Sequence, residues 1–348
     1  GGRGGEGMRG RARTRSRTVG SVTKSRQSVD TLRAMIARAY GADLVPEGED
    51  FVTELGHGWF NVAYRLRLRD GRDVVMKIAP PSDIAVMTYE HEMMRNELAA
   101  IALVHEHTVV PVPRIDYVDL THELCNADWF TMPFIDGDNF GILVEHHEVS
   151  ESDAVALNEQ LGAANRELNE IVGAHFGPLR GRGYATWREA FTRMIEDVLQ
   201  NGERAGVDLG WPYDTVREVI REYEDELDAV TEPRFVEWDL WSSNVMVRDG
   251  SIAAIIDHER AFYGDPLIEA GFVCIDLPMF GDATAFMRGY GQGALTDSER
   301  RRRLLYTLYL ILIMAIEPKY RGHQDTQQYD MARAVLAGLM TGRFGRTA

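Results

Sequence analysis

Hydrophobic and polar positions follow two different periods along this chain. Val29, Leu32, Met35, Ile36 and Tyr40 fall at helical spacing behind Ser28 as a cap and before Gly41 as a stop, which predicts a short leading helix. Residues 51–69 then alternate with period two and break around Gly56-His57-Gly58-Trp59-Phe60-Asn61, which predicts two strands joined by a glycine-bearing turn. Residues 73–78, 115–119 and 128–134 read as three more strands, with a long helix over 82–105 between the first and second of them. From Ser150 the pattern turns helical: Val155, Leu157, Leu161 and Leu168 share a face, and residues 187–199, 213–230, 304–316 and 331–340 continue in the same period. One strand pair interrupts the helices. Val245 and Val247 alternate with Met246 and Arg248, Asp249-Gly250 is a two-residue turn signal, and residues 252–256 are an apolar run, so a β-hairpin is expected there. The fold class is α+β, a small antiparallel sheet first and a mainly helical part second.

Composition narrows this picture. A chain of 348 residues is long for one core and short for three, which points to two lobes. Residues 1–27 carry eight basic residues and one acid with little apolar content, and the segment is expected to be a disordered tail. The first lobe is expected over residues 28–135 and the helical lobe over 136–348. A net charge of −16 argues against nucleic acid as a partner and is compatible with a cationic small substrate. The apolar run 304–316 is 13 residues, short of the about 20 that cross a bilayer, so no membrane association is expected. Cys125 and Cys274 are too few for a disulfide framework and suggest a cytoplasmic, reducing compartment.

The candidate chemistry gathers around the hairpin. The loop Asp239-Leu240-Trp241-Ser242-Ser243-Asn244 enters it and Asp257 follows its last apolar residue, so the turn brings Asn244 and Asp257 side by side. A loop carboxylate, an amide oxygen and a second carboxylate are the hard oxygen donors that Mg²⁺ accepts while it stays bound to phosphates. In the first lobe, Gly56 and Gly58 allow backbone N–H groups to approach phosphate oxygens with no Cβ in the way. Lys77 stands inside an apolar strand of a chain whose only other lysines are Lys24 and Lys319. A compact ammonium suits nucleotide phosphates there better than a forked guanidinium.

These residues resemble the protein-kinase-like small-molecule phosphotransferases, the aminoglycoside and choline kinase group. That family's loop reads H-x-D-x-x-x-x-N, followed by a hairpin and a metal-binding Asp; this chain has E-W-D-L-W-S-S-N and then I-I-D-H-E. The resemblance implies a bilobal protein-kinase-like fold, with Asp239 as the catalytic carboxylate and Asn244 and Asp257 as Mg²⁺ ligands. It implies that Gly56, Gly58 and Asn61 belong to the glycine-rich loop. One acid of the helix over 82–105 should orient Lys77, Glu97 being the first choice and Glu90 the alternative. Adenine should be held by the Pro133 carbonyl and the Ile135 N–H, a register in which proline loses nothing. The departure is Glu237 in place of the usual His, which bears on loop geometry. Glu259 and Glu269 are candidates for holding amino groups of an acceptor.

The expected activity is transfer of the γ-phosphoryl group of ATP, or alternatively GTP, to a hydroxyl of a small molecule. Two acceptor classes stay open, an aminoglycoside-like antibiotic and a metabolic amino alcohol or sugar. A protein kinase is disfavoured because neither D-F-G nor A-P-E follows the hairpin. A nucleotide-binding pseudokinase is the non-enzymatic alternative; it is encouraged by Glu237 and opposed by Lys77, Asp239, Asn244 and Asp257.

Overall fold

The computed structural model describes residues 24–56 and 60–348. The expected disordered tail falls largely outside them, but residues 24–27 correct its boundary. Arg26 Nε lies 3.2 Å from Glu54 Oε2, and the backbone N–H of Gln27 donates to the Tyr64 hydroxyl at 3.0 Å, so these residues are tied to the sheet edge.

Helix α1 (Val29–Tyr40) is capped by Ser28, whose Oγ accepts from Thr31 N, and it buries Leu32, Met35 and Ile36. Those side chains share a core with one face of a five-stranded antiparallel sheet. The sheet contains β1 (Val52–Leu55), β2 (Val62–Arg67), β3 (Asp73–Ile78), β4 (Tyr117–Asp119) and β5 (Trp129–Pro133) in the order β1-β2-β3-β5-β4. Strand parity sorts the residues of β3. Val74, Met76 and Ile78 enter that core, whereas Val75 and Lys77 face a cavity on the other side.

The long helix expected over 82–105 is shorter than its pattern. Helix α2 covers Met93–His107, preceded by a tight turn at Thr88–Glu90 and by Glu92 with φ of 57°. The helical lobe takes this segment away from the helix: Thr88 N donates to Asn201 Oδ1 at 2.8 Å, and Glu90 pairs with the buried Arg321 at 2.5 Å. Met87, Ala100 and Val104 accordingly belong to the larger core and not to that of the sheet.

That larger core holds β6 (Asp138–Asn139), α3 (Phe140–Glu145), α4 (Glu151–Leu168), β7 (Gly177–Pro178), α5 (Trp187–Arg204), α6 (Tyr213–Tyr223) and β8 (Arg234–Val236). It continues through β9 (Val245–Arg248), β10 (Ser251–Ile255), β11 (Phe262–Gly264), α7 (Thr284–Tyr290), α8 (Asp297–Arg321) and α9 (Gln327–Gly338). Val155, expected on the inner face of α4, is exposed, while Leu157, Leu161 and Leu168 are buried. Helix α8 outruns its apolar stretch because Thr296 and Glu299 form a capping box at one end and Gly322 stops it in the left-handed region at the other. No helix of the described residues is long and apolar enough to cross a membrane.

Candidate active site

The hairpin β9–β10 closes on Asp249 and Gly250, both at positive φ (52° and 75°), the geometry of the tight turn that matches strand twist. At its open end Ile256 N donates to Asn244 O at 2.9 Å, which fixes Asn244 and Asp257 as neighbours. The loop before it is built from its own backbone: Trp241 N donates to Asp239 O and Asn244 N to Trp241 O, both at 2.9 Å. Asn244 Nδ2 donates to Asp239 O at 2.7 Å, leaving Oδ1 as its acceptor atom. Trp238 (φ 63°) and Asp257 (φ 60°) both sit in the left-handed region that costs a non-glycine residue of order 1 kcal/mol, and both flank the candidate chemistry.

Lys77 Nζ lies 2.7 Å from Glu97 Oε1, 2.5 Å from Asp257 Oδ1 and 3.7 Å from Glu259 Oε2. Burial works against its charge, but Asp257, Glu97 and Glu259 outweigh it and raise the ammonium well above the usual lysine range. Of the two acids weighed for this contact, Glu97 makes it; Glu90 is committed to Arg321 and to the Met87 N–H. Glu97, Asp257 and Glu259 each offer an oxygen within 4.8 Å of the others. Asn61 Nδ2 donates to Glu259 Oε2 at 2.6 Å, while Asn61 Oδ1 is buried without a partner among the described residues.

Asp239 Oδ1 accepts from Trp241 Nε1 at 2.8 Å. Burial pushes its carboxyl up to about 6; the Arg260 guanidinium pulls it down, and the Asp257 charge pushes it further up. The carboxylate therefore senses Asp257 on one side and Arg260 on the other, and each of those belongs to a different cavity. The first, of about 390 Å³, lies between the sheet and the hairpin and is lined by Val75, Lys77, Phe130, Met132, Ile135 and Met246 among others. Ile135 reaches it, whereas Pro133 ends β5 opposite Val74 and does not line it. Gly56 follows β1 with open space where a Cβ would stand, and Gly58 lies outside the described residues. The second cavity, of about 430 Å³, is bounded by α5, α8, β11 and the segment before α2, and Glu259 lines both.

One expectation is corrected. Glu269, expected to meet an acceptor, is fully buried: its Oε2 accepts from Asn165 Nδ2 (2.6 Å), Asn169 Nδ2 (2.9 Å) and Glu237 N (3.1 Å), and its Oε1 from Trp238 N (2.7 Å). Burial lifts its carboxyl to about 7 while the side-chain and backbone N–H donors pull it down. It is a brace for the loop that carries Asp239. Glu269→Ala would strand four buried N–H groups, and a loss of about 3 kcal/mol or more of folding stability is expected in urea unfolding. An unchanged midpoint would contradict the brace. Glu259, the other acceptor candidate, turns its carboxylate to Lys77 and Asn61, at the phosphate end of the cleft.

Residues with no signal in the spacing complete the site. Asn96 Nδ2 donates to the carbonyls of Glu259 (2.9 Å) and Ala261 (2.8 Å), and Arg260 stacks between Tyr89 and Trp238 with its charge toward Glu317. Only the third place after Asp257 marks Arg260 in the sequence.

Residues 52–305 match the phosphotransferase enzyme family, APH. No curated protein sequence matches the chain. Among solved structures, a thermostable mutant of the aminoglycoside phosphotransferase APH(4)-Ia, in ternary complex with AMP-PNP and hygromycin B, superposes with a TM-score of 0.63 at 18% identity, covering 91% of this chain and 100% of that one. A putative fructosamine-3-kinase from Thermobifida fusca gives 0.60 at 21% identity, covering 89% of this chain and 100% of its own. The GDP complex of a mutant aminoglycoside 2′-phosphotransferase-IIIa gives 0.60 at 16%, covering 91% of this chain and 99% of its own. The hairpin loop, the Lys77 ion pair and a match over most of the chain agree: this protein belongs to the phosphotransferase enzyme family and has a bilobal, protein-kinase-like fold.

Proposed function

We propose that this enzyme holds ATP and Mg²⁺ in the cavity between sheet and hairpin and passes the γ-phosphoryl group to a hydroxyl of an acceptor in the second cavity. The observation that carries this reading is the cluster of Glu97, Asp257 and Glu259 around the single ammonium of Lys77. Three carboxylates against one cation leave negative charge that a divalent ion would balance. The residues therefore fit a hard cation, with Asp257 and Asn244 as its first holders and Glu259 beside them. Mg²⁺ there supplies charge neutralisation for the phosphate oxygens.

The protein's own part is positioning and proton handling. Lys77, oriented by Glu97, binds phosphate oxygens, and the backbone around Gly56 covers them; Ile135, which lines the cavity where Pro133 does not, holds the base. Asp239 orients the acceptor hydroxyl and accepts its proton as the new P–O bond forms, while ADP leaves with the electron pair of the broken one. GTP as the alternative donor needs no change in these roles. Asp257→Ala should abolish the Mg²⁺-dependence of nucleotide binding in calorimetry; a variant that still responds to Mg²⁺ like the parent would move the metal elsewhere.

For the acceptor, the charge balance of the second cavity favours one class. Two of its acids are matched by arginines, Glu92 by Arg180 at 3.6 Å and Asp197 by Arg193 at 2.9 Å, and the third, Glu259, turns its carboxylate away to Lys77 and the proposed cation site. Tyr89, Tyr184, Trp238, Phe262 and Tyr309 supply ring faces. A polyamine such as an aminoglycoside needs unmatched carboxylates, so a neutral or singly charged ring-bearing alcohol, including a metabolic one, is the better fit. An ATP-consumption panel of aminoglycosides, macrolides, amino alcohols and sugars tests this: highest kcat/KM on a multiply charged aminoglycoside would reverse the assignment and restore antibiotic resistance as the leading role. The free Cys125 and Cys274 support a cytoplasmic setting.

A further inference from the structure

Glu237, the one departure from the family's loop pattern, has found a histidine elsewhere. His258 directly follows Asp257, is fully buried, and places Nδ1 2.7 Å from Glu237 Oε1 and Nε2 2.8 Å from the carbonyl of Ile255. Both partners are acceptors, so both ring nitrogens donate and the ring is an imidazolium. The backbone N–H of His258 donates to Glu97 Oε2 at 2.7 Å, and the other oxygen of Glu97 holds Lys77. Glu237 N in turn donates to Glu269. One continuous chain of contacts thus runs from Lys77 through Glu97, His258 and Glu237 to Glu269.

We propose that Glu237 and His258 are a reciprocal pair of positioning residues, which pins the loop of Asp239 to the turn of Asp257 and so sets the separation of those two carboxylates. The loop carries an acid where a histidine is usual, and the histidine it meets stands beside Asp257 instead, so the function resides in the pair. Geometry makes the pair suited to this. Glu237 is two residues from Asp239, His258 is one from Asp257, and Trp238 and Asp257 are held at positive φ, a backbone state that needs an outside restraint. Breaking a buried ion pair on one side leaves an uncompensated charge, so neither residue can be replaced alone without the loop shifting.

The inference rests on the phosphoryl-transfer reading, and its test separates the two. Glu237→Gln, His258→Gln and the exchanged double variant Glu237→His/His258→Glu are compared with wild type by two measurements. One is Mg²⁺-dependent ATP hydrolysis with water as acceptor; the other is Mn²⁺ binding in the presence of ADP, followed by electron paramagnetic resonance. Each single variant should lower kcat roughly 30- to 300-fold, the range that a displacement of about 1 Å causes, and should weaken Mn²⁺ binding roughly 10- to 100-fold. The exchanged variant should recover at least roughly ten-fold in kcat over the worse single one. Recovery would be partial, because a carboxylate at position 258 faces Glu97. Singles within two-fold of wild type, or an exchanged variant no better than they are, would overturn the pairing. Should His258→Gln fail to fold in a thermal melt, Glu237→Gln decides alone, since it keeps an acceptor for Nδ1 and removes only the charge. Wild-type protein without any ATP turnover would sink the phosphoryl-transfer reading instead; the Mn²⁺ measurement then still decides the pair.

Discussion

Asp239→Asn is expected to lower kcat by about 10²- to 10⁴-fold while the affinity for Mg²⁺-ATP stays within roughly two-fold. The asparagine has the same shape. Its amide oxygen can still accept from Trp241 Nε1, and the main-chain carbonyl at 239 still accepts from Asn244, so the loop should keep its fold. What disappears is a carboxylate able to take the acceptor's proton. The neighbours of Asp239 are Arg260 and Trp241 on one hand and Asp257 on the other, and Lys77 reaches Asp257 rather than Asp239. Steady-state kinetics together with calorimetric titration of the nucleotide separate the two effects. Parallel losses of turnover and ATP affinity would mean that Asp239 grips the nucleotide and that another base serves the acceptor.

The Lys77–Glu97 pair should behave as a unit. Lys77→Ala and Glu97→Ala are each expected to reduce kcat/KM by about 100-fold or more, the scale for truncating one partner of a buried, hydrogen-bonded charge pair. Lys77→Ala leaves Glu97, Asp257 and Glu259 facing one another without the ammonium; Glu97→Ala frees the ammonium to collapse onto Asp257 and also releases the N–H of His258. The double variant should be little worse than the weaker single one, because the second deletion removes a group already displaced. Lys77→Arg should be damaging as well. A planar fork cannot place one nitrogen 2.7 Å from Glu97 and 2.5 Å from Asp257 in a space shaped for an ammonium. Losses that multiply across the Lys77 and Glu97 variants would break the pairing, and the ATP KM of each variant would then show which of them contacts phosphate.

In the proposed reaction Arg260 stands between the two cavities. Its guanidinium lies between the rings of Tyr89 and Trp238, at 5.1 Å from each, and it is the group that lowers the Asp239 carboxyl most against burial. An acceptor lying on those rings would meet the cation that keeps its proton acceptor ionised. This is why the charge balance of the second cavity, and not the chain's overall −16, bears on the acceptor.

The sequence by itself determined what is local. The order of β1–β5, of the hairpin and of the longer helices follows from periodicity, and Asp249-Gly250 dictates a tight hairpin, which makes Asn244 and Asp257 neighbours however the rest packs. Strand parity on β3 puts Lys77 on the face opposite the apolar core, and a lone lysine among arginines marks the position. Tertiary structure decided everything that depends on partners far away in the chain. Glu90 and Glu97 look alike in sequence, and Arg321 claims the one while Lys77 claims the other. Helix α2 begins only at Met93, and the residues before it are held by the helical lobe, Thr88 N by a hydrogen bond to Asn201 and Glu90 by an ion pair with Arg321. Glu259 and Glu269 carry the same carboxylate, yet one faces Lys77 across 182 positions and the other is enclosed by Asn165, Asn169 and two backbone N–H groups. Glu237 reads as a defect until His258 is placed against it, 21 residues on. Short-range spacing fixes backbone geometry, but a buried charge takes its role from whichever opposite charge the fold brings to it, and that pairing is not written in local order.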